Sequence, residues 1–477
     1  MAVRRGDEYL DSLRDGRRVW LAGERVDDVT THPALAGCAR SIAGIYDLQH
    51  SPEHEELLTM RSPKTGERVS LAYLLPQSID DLRRQRLMYE HLVRRAGGVA
   101  ARLPQHLATV VLGLYDMREV LGEEDPRFAE NATRFFEYCR EKDPSIGTVF
   151  YDPFQRPGRA GAQAEYLKVV EKRADGIVVR GAKGVGTMTP YANEILCLTL
   201  PRPDLRPEEV LYFAVPANTQ GLQFVCREPL TPQNPLDHPL APQWDEMDAI
   251  VVFDDVLVPW KRVFYLRSSN AADPAFYARL FHGAVNVGPW YVLVRLAVKA
   301  ELLLGVCAAL VDLLGTAEHP PSKTAVADLI VYLETLRSFI HAAESRPVRS
   351  RSGLTLPDPI LGQAARVYAI ENHPRMVHVL REICGASILT APGRADLQNP
   401  EVASWIDRYY VGPDERAYDR FRMLKLAWEL ACDSFGSRQL LFEMFNVTSA
   451  ATNKQRLATA YDVSPHVALA KRLAGTG

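Results

Sequence analysis

Residues 167–181, LKVVEKRADGIVVRG, open the block around which this chain is organised. Two runs rich in β-branched residues flank the turn Ala174-Asp175-Gly176, a pattern typical of a β-hairpin. Further apolar runs, separated by Pro, Asp and Asn, follow at 195–200, 210–215, 222–227, 249–253, 256–258 and 262–265. Because no helical periodicity interrupts them, residues 163–265 are predicted to form a mostly antiparallel sheet of barrel or sandwich type.

Helical patterns lie on both sides of this block. Before it, Ser78 and Asp81 have the spacing of a capping box at the start of a helix, and Pro104 is a favoured first residue of the next. After it, long amphipathic stretches with short connections predict an up-and-down bundle; they cover 275–314, 322–345, 359–384 and 413–445.

These patterns divide the chain into three blocks and predict an α+β fold. We expect a mainly helical N-terminal domain at 1–143, a middle antiparallel β-barrel at 144–272, and a C-terminal four-helix bundle with a tail at 273–477. A chain of 477 residues is too long for one ordinary core, which agrees with several domains.

Composition excludes several classes of function. The 56 basic and 59 acidic residues nearly balance, so no nucleic-acid surface is predicted. Charged residues interrupt the most apolar stretch, 290–314, and the N-terminus lacks signal-peptide features, so we expect a cytoplasmic protein without a membrane span. The seven cysteines are scattered singly, and Pro52 breaks the helix that would align His50 with His54, so no metal site is predicted.

Short motifs spread over nearly the whole chain are typical of one enzyme family. They are GDEYL (6–10), GERV (23–26), DVTTHP (28–33), DLR (81–83), GAK (181–183), DEMDAI (245–250), VPW (258–260), VRLAVK (294–299), DLQNP (396–400) and FGSR (435–438). With them the chain resembles the 4-hydroxyphenylacetate 3-monooxygenase family, the large oxygenase components of two-component aromatic hydroxylases. The order of helical, strand and helical blocks resembles the acyl-CoA dehydrogenase-like flavoproteins.

The resemblance implies a reaction, a cofactor and partners. FADH2 would come from a separate NAD(P)H-dependent flavin reductase and react with O2 to a flavin C4a-hydroperoxide, which hydroxylates a phenolic ring beside its hydroxyl group. The chain has no Gly-x-Gly-x-x-Gly fingerprint, which agrees with that division of labour. The resemblance also implies a homotetramer built as a dimer of dimers.

The family's Arg-x-Pro-Asp-Tyr motif aligns with Arg102-Leu103-Pro104-Gln105-His106, so the arginine is kept and a histidine replaces the tyrosine. Arg102 precedes a helix start, where a cation and free backbone N–H groups stabilise a phenolate or peroxide anion. His106 is a candidate base for the substrate hydroxyl, with a structural histidine as the alternative.

The family's catalytic histidine in the loop before the barrel aligns with Gly147 or Thr148, and Thr148 would supply a weaker hydroxyl there. The resemblance also implies a set of flavin contacts. They are Phe154, Gln155 and Arg156 in the entry loop, Thr187 near the ring, Val447, Thr448, Ser449 and Ala450 near the phosphates or ribose, and Arg438 on a flavin phosphate across a subunit contact.

Two pocket positions depart from the family, so a second hypothesis stays open: a related flavoenzyme that performs N-oxidation, epoxidation or dehydrogenation on a non-phenolic molecule. A non-enzymatic scaffold is a third. A radical dehydratase is set aside, because no cysteine lies between Cys38 and Cys139 to hold an iron–sulfur cluster. The sequence leaves open the substrate, the ring position, free or carrier-bound substrate, FAD or FMN, and the reductase.

Overall fold

The computed structural model describes residues 3–153, 166–202, 205–230, 234, 237–267, 274–410, 417–445 and 448–476. Phe154, Gln155, Arg156 and Val447 of the predicted flavin site lie outside these ranges. Among the described helices, none combines the length and apolar character that a membrane crossing requires.

The first block is mainly helical, as predicted. Its helices are α1 (Gly6–Ser12), α2 (Ala36–Leu48), α3 (Glu55–Leu58), α4 (Ile79–Arg94), α5 (Pro104–Asp116), α6 (Arg118–Glu124) and α7 (Pro126–Lys142). Its strands are β1 (Val19–Leu21), β2 (Glu24–Val26), β3 (Thr59–Arg61) and β4 (Arg68–Ser70). Ser78 caps α4 by accepting the Asp81 N–H at 3.1 Å, and Pro104 occupies the first turn of α5.

The middle block contains most of the strands. They are β5 (Ile146–Val149), β6 (Lys168–Lys172), β7 (Gly176–Thr187), β8 (Glu194–Leu198), β9 (Leu211–Pro216), β10 (Leu222–Cys226), β11 (Asp248–Pro259) and β12 (Val263–Leu266), with helix α8 (Ala241–Trp244). The two runs at 249–253 and 256–258 belong to one strand, β11. The polar pair Asp254-Asp255 separates them in the sequence, and at this point the strand has a register shift between Phe253 and Val256 and a φ of 53° at Asp255.

The predicted β-barrel is not closed, and the strands instead form two open sheets, which agrees with the sandwich alternative. The first has the order β2-β1-β10-β11-β7-β6, and the second has the order β12-β9-β8-β5. In the described part of the chain no hydrogen-bonded ladder joins the sheets, so their edges stay separate, and the Phe213 and Phe253 rings meet between them at 5.6 Å. Pairing is mostly antiparallel, as predicted, except that β1 pairs with β10 and β5 with β8 in parallel.

The last block is helical. It contains α9 (Pro274–Ala284), α10 (Gly288–Leu313), α11 (Pro320–Ser345), α12 (Pro359–Cys384), α13 (Arg394–Gln398), α14 (Pro400–Tyr410), α15 (Ala417–Ala431), α16 (Ser434–Phe445), α17 (Ala450–Ala460) and α18 (Ser464–Ala474), and the short hairpin β13 (Val348–Arg349) and β14 (Thr355–Leu356). Helices α10, α11 and α12 pack on one another, and α15 and α16 together take the place of the fourth long helix. The exact domain boundaries stay a prediction.

Helix α5 occupies the centre of the fold. It packs against α7, α9, α10 and strand β5, and only Tyr115 of its 13 residues is partly exposed. An apolar helix covered on all sides is held by packing rather than by amphipathic contact with solvent. The residues at its start are therefore fixed by all three blocks.

The close approach of α5 to α9 supplies a stability test. A Cβ added at Gly113 would lie 2.0 Å from the Ala284 carbonyl oxygen, a backbone atom that cannot move alone. Gly113→Ala is expected to lower the free energy of unfolding by about 1–3 kcal/mol through overpacking. Gly305→Ala in α10 is the control, because its Cβ would meet nothing within 4 Å. Urea unfolding of both variants measures the difference, and equal midpoints would contradict the packing.

Candidate active site

The chain just before α5 is held by a buried carboxylate. The backbone N–H groups of Ala101 and Arg102 donate to Oε1 of Glu246 at 2.8 and 2.5 Å. Glu246 is 1% exposed and lies just before β11. Buried N–H groups ahead of a helix have no intrahelical acceptor, so the carboxylate supplies the acceptor that they need.

The Arg102 side chain contacts His106 one turn further along. Nη1 of Arg102 donates to Nε2 of His106 at 3.0 Å. A guanidinium has only donors, so Nε2 carries no proton. Burial, helped by the Arg102 and Arg295 cations, lowers the pKa of His106 well below its usual value, so the ring is neutral. Its proton therefore lies on Nδ1, which has no hydrogen-bond partner in the described part of the chain.

Other buried polar atoms near the start of α5 also lack partners. Both amide atoms of Gln105, which is 2% exposed, have none among the described residues, and neither do the hydroxyls of Tyr89 and Tyr291. The Tyr89 and Tyr291 rings lie 6.0 and 6.3 Å from the His106 ring. Because an unsatisfied buried polar group costs about 1–3 kcal/mol, this cluster is suited to a bound ligand or water.

Three arginines from different elements lie close enough to Tyr151 to affect its pKa. Burial raises the pKa of Tyr151, and the cations of Arg366, Arg102 and Arg456 oppose that rise. Burial lowers the pKa of Arg366 to about 10, and the Arg456 and Arg102 cations act in the same direction. Arg366 lies on α12 and Arg456 on α17. The region is therefore positively charged and suited to an anionic group such as a phosphate or a phenolate.

Thr148 lies on β5, the strand against which α5 packs. It is 7% exposed and pairs with Leu196 of β8. A Cβ at Gly147 would approach Ala192 and Thr189 within 3.0 Å, so that position faces the core. Successive side chains of a strand point to opposite faces of the sheet, so Thr148 lies on the face opposite to that of Gly147.

The loop after β5 is anchored by a lysine to which sequence reasoning assigned no role. Nζ of the buried Lys183, in the GAK motif of β7, donates to Asp152 Oδ1 at 2.6 Å and to the Phe150 carbonyl at 3.3 Å. Arg202 donates to the other Asp152 oxygen at 2.8 Å. Strand β7 thus fixes the start of the segment that carries the predicted flavin contacts 154–156.

At the far end of β7, Thr187 joins a network of buried charges. Its hydroxyl donates to Asp248 Oδ1 at 2.6 Å. Arg438 donates to both Asp248 oxygens, at 2.8 and 3.0 Å, and to Glu246 Oε2 at 3.2 Å. Burial acts to raise the pKa of Asp248, but the Arg438 cation and the hydrogen bonds outweigh it and lower the pKa to about 2. We call Glu246, Arg438 and Asp248 the carboxylate–arginine bridge.

The bridge places Arg438 beside two carboxylates of its own chain. The prediction that it reaches a flavin phosphate across a subunit contact stays a prediction, and such a contact has to share the guanidinium with Asp248 and Glu246. The structure therefore brings Arg102, His106, Thr187 and Arg438 into one connected region.

The segment 448–450 begins α17. Ser449 accepts the Thr452 N–H at 3.3 Å and caps the helix, while Ala450 is its first residue. Thr448 has a φ of 111°, a strained value for a β-branched residue, and strain of this kind clusters at functional sites. The fully buried Asn453 donates to the carbonyls of Thr448 and Ser449. That Thr448, Ser449 and Ala450 contact the flavin stays a prediction.

A buried ion triad lies behind the site in the bundle. Arg295 donates to both Glu443 oxygens at 2.7 and 2.5 Å and to the Gly98 carbonyl at 2.8 Å. Lys299 donates to Glu443 and Gln439, each at 2.8 Å. The signal was present in the sequence as two cations four residues apart in an apolar helix, but it served to exclude a membrane span and to identify the family, not to predict an ion triad.

Within the described ranges, one group has the donor atoms and spacing of a metal site. The candidate ligand atoms of His238, Glu429 and Asp433 lie within 4.8 Å of one another. Glu429 already accepts two N–H groups at the start of α8, at 2.6 and 2.9 Å, and Asp433 accepts one at the start of α16. Both carboxylates therefore serve as helix caps, and we assign no metal to them.

Comparison with known proteins places the whole chain in a single family. Residues 5–265 match the family description "4-hydroxyphenylacetate 3-hydroxylase N terminal" and residues 280–475 match "4-hydroxyphenylacetate 3-hydroxylase C terminal". The chain is 34% identical to the 4-hydroxyphenylacetate 3-monooxygenase oxygenase component of Geobacillus sp. (strain PA-9), over 93% of this chain and 91% of that protein.

Two further relatives bear on chemistry and shape. The 4-nitrophenol 4-monooxygenase/4-nitrocatechol 2-monooxygenase oxygenase component of Rhodococcus opacus is 35% identical, over 94% of this chain and 86% of that protein. The crystal structure of a 4-hydroxyphenylacetate 3-monooxygenase oxygenase component complexed with FAD superposes with a TM-score of 0.92 at 32% identity, covering 98% of each chain.

The buried triad generates a second stability prediction. Glu443→Gln keeps the side-chain size but leaves Arg295 and Lys299 buried without their carboxylate, which is expected to cost about 3–5 kcal/mol of unfolding free energy. Glu382→Gln on the surface of α12, 61% exposed, is the matched control and should change stability by less than about 0.5 kcal/mol. Chemical unfolding at neutral pH measures both, and similar values would show that the triad contributes little.

Proposed function

The chain belongs to the 4-hydroxyphenylacetate 3-hydroxylase family, and we propose that it is the FADH2-dependent oxygenase component of a two-component phenol monooxygenase. In the reaction, FADH2, O2 and a phenol yield a ring-hydroxylated product, FAD and water. One oxygen atom enters the ring and the other leaves as water. The observation that carries the proposal is the Arg102–His106 pair at the start of a buried helix, in a chain that matches the family over nearly its whole length.

The residues present fit a flavin. Phosphate groups suit the cations of Arg366 and Arg456, and the amide of Gln105, which has no hydrogen-bond partner among the described residues, offers both a donor and an acceptor. Reduced flavin with O2 supplies the oxygen atom when bound. Lys183 holds Asp152, two residues before the predicted flavin contact Phe154, and Thr187 at the far end of the same strand donates to Asp248.

Arg102 binds the substrate oxygen. A guanidinium beside a phenol lowers the phenol pKa and favours the phenolate, whose ring is more electron-rich next to the oxygen and therefore attacks an electrophilic oxygen more readily. His106 accepts one Arg102 N–H and so fixes the plane of the guanidinium. Since that bond occupies the free lone pair of the ring, we propose that His106 orients Arg102 rather than acting as the base.

The names of the relatives support phenols as the substrate class and a separate reductase as the source of FADH2. We propose an NAD(P)H-dependent flavin reductase for that role. A homotetramer is supported by α18, whose apolar residues Val467, Leu469 and Leu473 are 45%, 47% and 79% exposed in the single chain. The cytoplasmic location stays a prediction.

Arg102→Ala tests the function directly. With FADH2, 4-nitrophenol and ¹⁸O-labelled O2, the wild-type chain should form a product that contains one labelled oxygen. Loss of the cation should lower product formation by about 10²–10³-fold, while FAD still binds. The surface variant Arg375→Ala, 62% exposed, is the control. Normal turnover of Arg102→Ala would overturn the assignment, and an unlabelled oxidised product would favour dehydrogenation.

The role of His106 predicts a pH profile. A neutral His106 whose pKa lies well below its usual value does not titrate between about pH 6 and 9. His106→Asn, which keeps an acceptor for Arg102, should raise KM for the phenol and leave the shape of the kcat profile unchanged. Steady-state rates across this range measure the effect. If His106 is the base, the acidic limb of the wild-type profile will disappear in the variant.

A further inference from the structure

The two ends of the candidate site are joined by charged side chains that are buried or partly buried. One end is the Arg102 backbone, which donates to Glu246 at 2.5 Å. The other end is Thr187, whose hydroxyl donates to Asp248 at 2.6 Å. Arg438 lies between the two carboxylates and donates to both. A continuous chain of hydrogen bonds therefore runs from the backbone of Arg102 to Thr187 at the end of β7.

The three members of this carboxylate–arginine bridge come from two blocks and contact the third. Glu246 and Asp248 flank Met247 at the start of β11, and Arg438 lies on the bundle helix α16. Their side chains are 1%, 21% and 11% exposed. Charge-assisted hydrogen bonds in such surroundings are short, directional and costly to break, so they fix the position of the groups that they join.

Glu246 is the member that acts on Arg102. Its Oε1 accepts two consecutive backbone N–H groups, a geometry that determines where the chain enters α5. Its Oε2 accepts from Arg438. Neither contact involves the Arg102 side chain, whose Nη1 donates to His106.

We propose that Glu246 is a positioning residue for hydroxylation, which through Arg438 and Asp248 holds Arg102 at a fixed distance from Thr187, the predicted flavin contact at the end of β7. The inference rests on the proposed function of the site. Oxygen transfer needs the ring carbon and the donated oxygen at near-contact distance, and a misplacement of about 1 Å can cost on the order of 10²-fold. When transfer fails, FADH2 and O2 yield FAD and H2O2 instead of a hydroxylated product.

The test compares coupling in three variants. Glu246→Ala removes both acceptors. Glu246→Gln keeps one amide oxygen for the backbone N–H groups but presents an NH2 group to Arg438. Glu344→Ala is the control, because Glu344 is 3% exposed and pairs with Arg86 at 2.6 Å outside the bridge. For each, the measurements are hydroxylated 4-nitrophenol and H2O2 per FADH2 oxidised, KM for the phenol, and the Kd for FAD.

A readout without flavin accompanies them. The visible absorbance of 4-nitrophenolate reports the pKa of the bound phenol, which Arg102 should lower in the wild-type chain. In Glu246→Ala this pKa should return towards the value in solution.

The expected pattern is specific. Glu246→Ala should raise the ratio of H2O2 to product by about tenfold or more, with FAD affinity kept, and Glu246→Gln should recover part of the loss. Glu344→Ala should lose stability without changing the ratio. If Glu246→Ala does not fold, the comparison rests on Glu246→Gln and Asp248→Asn, which should both raise the ratio.

Two results would overturn the inference. One is a wild-type ratio of H2O2 to product in the folded Glu246 variants. The other is a change of this ratio in Glu344→Ala as large as that in Glu246→Ala, which would indicate that Glu246 has a purely structural role. A wild-type chain that binds no FAD and hydroxylates no phenol would instead overturn the proposed function. The two failures are therefore distinguishable.

Discussion

A buried charge has to meet an opposite charge, and in this protein that constraint joins the three blocks of the chain. Breaking a buried pair by removing one partner costs about 3–5 kcal/mol. Arg438 of the bundle meets Glu246 and Asp248 of the middle block, and Glu246 in turn accepts the N–H groups ahead of α5. The entry to α5 is thus set by charges from elsewhere in the fold.

The same constraint shapes the chemistry. Arg102 precedes α5, Arg366 lies on α12 and Arg456 lies on α17, yet all three cations affect the pKa of the same side chain, Tyr151. A region with this charge stabilises an anion without rearrangement at the moment of reaction. His106 stands where the family motif has a tyrosine, and it accepts a hydrogen bond from Arg102.

Local signals in the sequence predicted local structure well. The capping pair of Ser78 and Asp81 predicted the start of α4, and Pro104 predicted that of α5, because both act within one turn of a helix. The apolar runs also predicted the strands, although the polar pair Asp254-Asp255 divided β11 into two runs. At this point the strand has a register shift, and Asp255 has a positive φ. The sequence left a barrel and a sandwich open, because closure depends on which edges pair, and strand periodicity carries no information about edges.

The sequence by itself determined the family, the α+β layout and the identity of Arg102 as the candidate anion-binding residue. The motifs DEMDAI, VRLAVK and FGSR contain every member of the ion networks except Glu443, without indicating that these residues meet. Only the tertiary structure decided that Glu246 holds the Arg102 backbone 144 positions away, and that Asp248 holds Arg438 190 positions away. The physical reason is that such partners are brought together by the packing of whole helices and sheets, whereas a sequence pattern reports only neighbours along one element.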